Sequence, residues 1–139
     1  MTAVARKFRL TPPVVAEHPL QAQLAKVLRL EIGPPGKVSA AGVVWYSIDH
    51  ANYAGEVPGV RIARGIIAGI LDTFVLYRGT AHFIEIKTEA PDAELSEHQR
   101  SVGTALLAAG GRVGVARDAA ELLGCLDAWA IPRARRVRL

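Results

Sequence analysis

Apolar residues recur at helical spacing at Leu20, Leu24, Val27 and Leu28. This predicts a helix over about 19–31, with Pro19 in the first turn, where its missing N–H is not needed. Gly33-Pro34-Pro35-Gly36 ends that helix. Val43 to Ile48 is β-branched and aromatic and reads as a strand. Ile70 to Tyr77 and Ala81 to Thr88 read as two further strands joined at Arg78-Gly79. Ser96-Glu97-His98-Gln99 has the form of a capping box. An apolar stripe follows at Val102, Ala105, Leu106 and Ala109, and Gly110-Gly111 closes the helix. Val113 to Ala116 reads as a short buried strand, and Asp118 to Glu121 as a second capping box opening a helix with Leu122, Leu123 and Leu126 inward. The glycine-punctuated stretch from Asp49 to Gly69 is a long connection, with a short helix near Val60–Arg64 as one way of filling it. The predicted order is α-β-β-β-α-β-α, an α/β fold with a small mixed sheet flanked by helices.

Composition narrows the class. A 139-residue chain that is 50% hydrophobic is a single globular domain rather than a disordered polymer. The lone Cys125 excludes a disulfide framework and a cysteine-built zinc site. Apolar runs are cut by Arg64, Asp72, Arg78 and Glu85, so no membrane-spanning helix is expected. The first ten residues lack the apolar core of a secretory signal, which makes a cytoplasmic setting the expectation.

Charge is unevenly placed. Arg6, Lys7 and Arg9 lie at one end, and Arg133, Arg135, Arg136 and Arg138 at the other. Setting those seven aside leaves 10 of the 17 basic residues against 13 acidic ones. The expected organisation is a basic arm over 1–16, one domain over 17–131 and a basic tail over 132–139. Such tails contact phosphate backbones without sequence preference, or serve only solubility.

The hairpin carries the candidate chemistry. A two-residue loop at Arg78-Gly79, with glycine supplying positive φ, places Phe74 opposite Phe83 and Asp72 opposite Glu85. Directly opposed residues share a face, with Cα atoms roughly 4.5–5.5 Å apart. Lys87 lies two residues beyond Glu85 on that face. Leu71, Thr73, Val75, Ile84 and Ile86 point the other way, with His82 among them as a packed histidine. Opposed carboxylates destabilise a covered sheet unless a counter-charge or a divalent cation relieves them. An ordinary surface patch of acids and lysine has the same alternation.

Glu17 opens the first helix, either as a favourable N-terminal charge or as a third carboxylate of the site. Gln99 is either a cap or a partner of the hairpin, and replacement by Glu preserves the capping side chain. Cys125, among leucines, reads as core.

Four blocks occur in order: Gly69-Ile70-Leu71-Asp72, Phe83-Ile84-Glu85-Ile86-Lys87, Leu95-Ser96-Glu97-His98-Gln99, and Ala109-Gly110-Gly111-Arg112-Val113-Gly114-Val115-Ala116. Together with Glu17 and Gln21 they resemble the VRR-NUC-type nucleases of the PD-(D/E)XK superfamily. Leu71 departs from that pattern, which usually has proline before the acid. Asn52-Tyr53-Ala54-Gly55 matches the family's Asn-Gly-rich loop only loosely. The resemblance implies a restriction-endonuclease-like core and a metal-dependent DNA endonuclease, structure-selective cleavage being one form of it. It implies Mg²⁺ or Mn²⁺ held by Asp72, Glu85 and the Ile86 carbonyl, with Lys87 acting on the attacking water or the developing charge. Gln99 and Glu17 are implied as supporting members. Arg61, Arg64 and the terminal Arg133, Arg135 and Arg136 are implied to neutralise DNA phosphates. So small a domain covers few base pairs, which makes a homodimer a natural arrangement. The alternative is a non-catalytic nucleic-acid-binding module on the same fold.

Overall fold

The computed structural model describes residues 17–48, 58–88 and 94–134. The basic arm, residues 49–57 of the connection after Ile48, the loop before Glu94, and Arg135 and Arg136 lie outside them. The elements are α1 (Glu17–Glu31), β1 (Val43–Ser47), α2 (Pro58–Ala63), β2 (Thr73–Tyr77), β3 (Thr80–Ile86), α3 (Glu97–Ala108), β4 (Arg112–Ala116) and α4 (Ala119–Ala128). The order is the predicted one with the short α2 added inside the glycine-punctuated stretch.

The four strands form one mixed sheet in the order β1-β2-β3-β4. β1, β2 and β3 are antiparallel neighbours, whereas β4 returns parallel to β3 through α3. At the β2–β3 turn, Arg78 and Gly79 both adopt positive φ, 50° and 76°. That is the backbone demanded by a two-residue hairpin turn whose twist matches the strands. The register is the predicted one from Tyr77 opposite Thr80 through Phe74 opposite Phe83 to Thr73 opposite Ile84; the ladder ends there, so the expected Asp72–Glu85 pair is not part of it.

One sheet face packs on α1 and α4. Leu20, Leu24 and Leu28, one turn apart on α1, meet Val43, Trp45, Val75, Ile84, Ile86, Leu122 and Leu126 in a single core. The buried Trp45 indole donates to the Gly33 carbonyl at 2.8 Å, so its polar edge is satisfied. Gly114 of β4 has no room for a side chain: an added Cβ would lie 2.8 Å from the Cys125 sulfur and 3.0 Å from the Trp129 ring. The other face carries Tyr46, Phe74 and Phe83 in one row across β1, β2 and β3, with ring centroids 5.0 and 5.5 Å apart. α3 covers the β4 side of this face, with buried Gly103 against Val113.

Three details differ from the sequence expectation. β2 starts at Thr73 rather than Ile70, because the chain before it is shaped by Gly69, at φ 90°, packed on the start of α3. α1 begins two residues earlier, at Glu17. The second capping box is half formed: Asp118 accepts the Glu121 N–H at 2.8 Å, while the Glu121 side chain pairs with Arg117 at 3.5 Å. No helix of the described residues is long and apolar enough to cross a membrane.

Candidate active site

Asp72 sits one residue before β2, where the regular ladder has ended. Its Oδ2 accepts the Ile86 N–H at 2.8 Å, so the carboxylate substitutes for the next backbone rung. A strand residue's N–H and C=O point to the same side. The Ile86 carbonyl is therefore directed past the end of β2 toward Asp72.

Glu85 is 2% exposed. Burying a carboxylate is costly unless hydrogen bonds and opposite charge replace water. Its Oε1 accepts the Gln99 amide Nε2 at 2.8 Å and lies 4.0 Å from the Lys87 ammonium. Oε2 is buried beside them and takes part in no hydrogen bond with the described groups. Lys87 is itself largely covered, with its side chain 12% exposed, and its N–H extends the sheet by donating to Ala116 at 3.1 Å.

Gln99 is both cap and partner. Its backbone N–H donates to the Ser96 hydroxyl at 3.1 Å, and its Oε1 accepts the Ser96 N–H at 2.9 Å. The same side-chain amide spends its Nε2 on Glu85. The start of α3 is thereby tied to the hairpin. Gly69 fixes the approach: a Cβ there would fall 2.4 Å from the His98 carbonyl oxygen.

These groups border a cavity of about 330 Å³, with Gln21, Arg61, Asp72, Glu85, Ile86 and Gln99 on its walls. Five residues singled out in the sequence thus share one wall system: Arg61, Asp72, Glu85, Ile86 and Gln99. Lys87 joins them through Glu85. Arg64 is exposed just after α2 and is not among the lining residues. Glu17 opens α1, but its side chain is outside the described set. Arg133 is turned inward, with its guanidinium 3.2 Å from Asp127 and 3.9 Å from Glu31, which ties the start of the predicted basic tail to the domain. Gln21, which the family resemblance includes without assigning it a role, is a further lining residue.

Among the described residues no three His, Cys, Asp or Glu side chains come together as a metal-holding group. The donor set is two carboxylates and one backbone carbonyl. His82 is packed as expected: it is 4% exposed, with Nδ1 3.1 Å from the Val75 carbonyl and its ring 5.0 Å from Trp129. Burial pushes its pKa below the ordinary imidazole value. Cys125 is half-buried on α4, facing β4, and burial, with Glu121 nearby, raises its thiol pKa.

No protein-family model, curated protein or solved structure matches the chain. The family resemblance therefore stands on the four sequence blocks.

Proposed function

We propose that the chain is a metal-dependent DNA endonuclease with a restriction-endonuclease-like core. The observation that carries this reading is the buried Glu85 carboxylate, held by Gln99 and faced by Lys87, in one cavity with Asp72. Element order supports the core: an antiparallel hairpin bearing the acids, followed by a helix and a parallel strand.

The donor set fits a small hard cation. Mg²⁺ is commonly held by one or two carboxylates, keeps several waters, and takes its remaining ligands from substrate phosphate. Asp72, Glu85 and the Ile86 carbonyl are oxygen donors of that kind, and Mn²⁺ accepts the same set. When bound, the ion supplies Lewis-acid polarisation of the phosphoryl group and a more acidic water. Lys87 contributes a compact positive charge with three donors, suited to orienting the attacking water or to stabilising the charge that develops on phosphorus oxygens. Gln99 restricts the Glu85 carboxylate to one orientation. Arg61 provides a cationic wall for the backbone phosphate of the substrate.

Supercoiled plasmid incubated with and without Mn²⁺ tests the reading. Wild type is expected to nick only with metal, and Glu85→Gln and Lys87→Ala to lose at least about 100-fold in rate, the usual scale for a group acting on transition-state charge. Retained DNA binding without nicking in wild type would instead assign the fold to a non-catalytic binding module. Equal nicking by wild type and both variants would remove the site from the account.

A further inference from the structure

A second cavity, of about 380 Å³, opens at the opposite end of the hairpin. Tyr77, Arg78, Thr80, His82, Arg112 and Trp129 line it, together with the small residues flanking Trp129. β3 rises roughly 20 Å between Thr80 and Ile86, so this cavity is separate from the carboxylate cleft.

The lining contains two guanidinium groups and no acid. Neither Arg78 nor Arg112 is in an ion pair with a described residue. Arg78 is held against the Tyr77 ring, its guanidinium carbon 5.3 Å from the centroid. Arg112 uses Nη1 for two long contacts, 3.4 Å to the Gly110 carbonyl and 3.3 Å to that of Gly111, which leaves its other donors available. Between them sits the nearly buried His82, directly opposite Arg112 on the paired strand. Burial is the main reason the His82 pKa lies below its ordinary value; the Val75 carbonyl pulls the other way, and the nearby Arg112 charge adds a smaller downward push.

The C-terminal end of α4 also borders this cavity, through Ala128, Trp129 and Ala130. The carbonyls of Cys125, Leu126 and Asp127 are occupied by the N–H groups of Trp129, Ile131 and Ala130. Two guanidinium forks without an ion-pair partner among the described residues, a hydroxyl at Thr80 and a cavity within the size range of small-ligand sites suit a tetrahedral oxyanion.

We infer that this cavity is a phosphate-binding site, with Arg78 and Arg112 as its paired donors. The phosphate is carried either by a free nucleotide or by a nucleic-acid strand. The site needs no catalysis at Asp72 and Glu85, and so stands apart from the nuclease reading.

The test is calorimetric titration in EDTA-containing buffer with three probes: inorganic phosphate, adenosine 5′-monophosphate, and a six-nucleotide DNA without terminal phosphates. Wild type should bind at least one probe saturably, with a change in Trp129 fluorescence. The double variant Arg78→Asn/Arg112→Gln should bind it at least tenfold more weakly. Asparagine tolerates the positive φ of position 78, and the two single variants supply the comparison if the double variant melts early. Binding of the phosphate monoesters alone assigns a free nucleotide or strand end. Tightest binding of the six-nucleotide DNA assigns a backbone phosphate. Absence of saturable binding for all three probes, or equal affinity in wild type and variants, overturns the inference.

Discussion

Replacing Gln99 by glutamate separates its two tasks. A glutamate still offers an oxygen to the Ser96 N–H, so the cap survives, and a negative charge in the first turn is mildly favourable. What changes is the contact with Glu85. The Nε2 donor at 2.8 Å from Oε1 becomes an acceptor facing an acceptor. A hydrogen bond to a charged group contributes about 1.5–3 kcal/mol. Two like charges about 4 Å apart, at an effective dielectric of about 20, repel by about 4 kcal/mol. Part of that repulsion is relieved by uptake of a proton, since close carboxylates do not both ionise readily. Gln99→Glu should therefore lower stability by about 2–4 kcal/mol at pH 7.5, whereas the capping role alone would leave helix stability nearly unchanged. Gln99→Met loses the same bond without adding charge and serves as reference. Urea unfolding at pH 7.5 and pH 5 is the assay. A proton on the new carboxyl restores a donor toward Glu85, so Gln99→Glu should recover toward wild type at pH 5, and Gln99→Met should not. Wild-type stability of Gln99→Glu at pH 7.5, or the same pH response in both variants, would refute the bond and its link to the site.

Gly69→Ala should cost about 2–5 kcal/mol in the same assay, since it combines a left-handed backbone with a Cβ 2.4 Å from the His98 carbonyl oxygen. It should also slow any cleavage, because α3 must shift with Gln99. His82 has a depressed pKa in the folded state, so its neutral form contributes stability in full above the unfolded value near 6.5. That contribution is lost as pH falls through the lower folded value. His82→Asn, which keeps a donor for Val75, should flatten the acid limb of a melting-temperature profile between pH 7.5 and 5. Arg133→Ala should cost no more than about 1 kcal/mol by thermal melting, because its partner Asp127 is largely exposed.

The hairpin was legible because a two-residue loop leaves one register, and the side-chain period of two then assigns every face. The same logic placed His82 in the core and Phe74 beside Phe83. α1 and α3 were legible from apolar spacing and the Ser96–Gln99 box. Other features depend on contacts distant in sequence. Asp72 taking the Ile86 N–H requires that β2 stop at Thr73, which follows from Gly69 meeting the backbone of α3. Arg133 looked like a phosphate contact, but Asp127 and Glu31 come within reach of it only once α1 and α4 are packed. The Asp118 box is half formed because Arg117, one turn before Glu121, competes for its side chain. Gln99 left two roles open in the sequence, and its amide has enough donors and acceptors to fill both.

Calorimetric titration of Mn²⁺ into wild type, Asp72→Asn and Glu85→Gln is the most direct test of the site. Wild type should show a saturable site that weakens at least tenfold in each variant, and its melting temperature should rise on metal addition as preferential binding to the folded state requires. Equal Mn²⁺ affinity in all three proteins would contradict the assignment of Asp72 and Glu85 as metal ligands and, with it, the proposed chemistry.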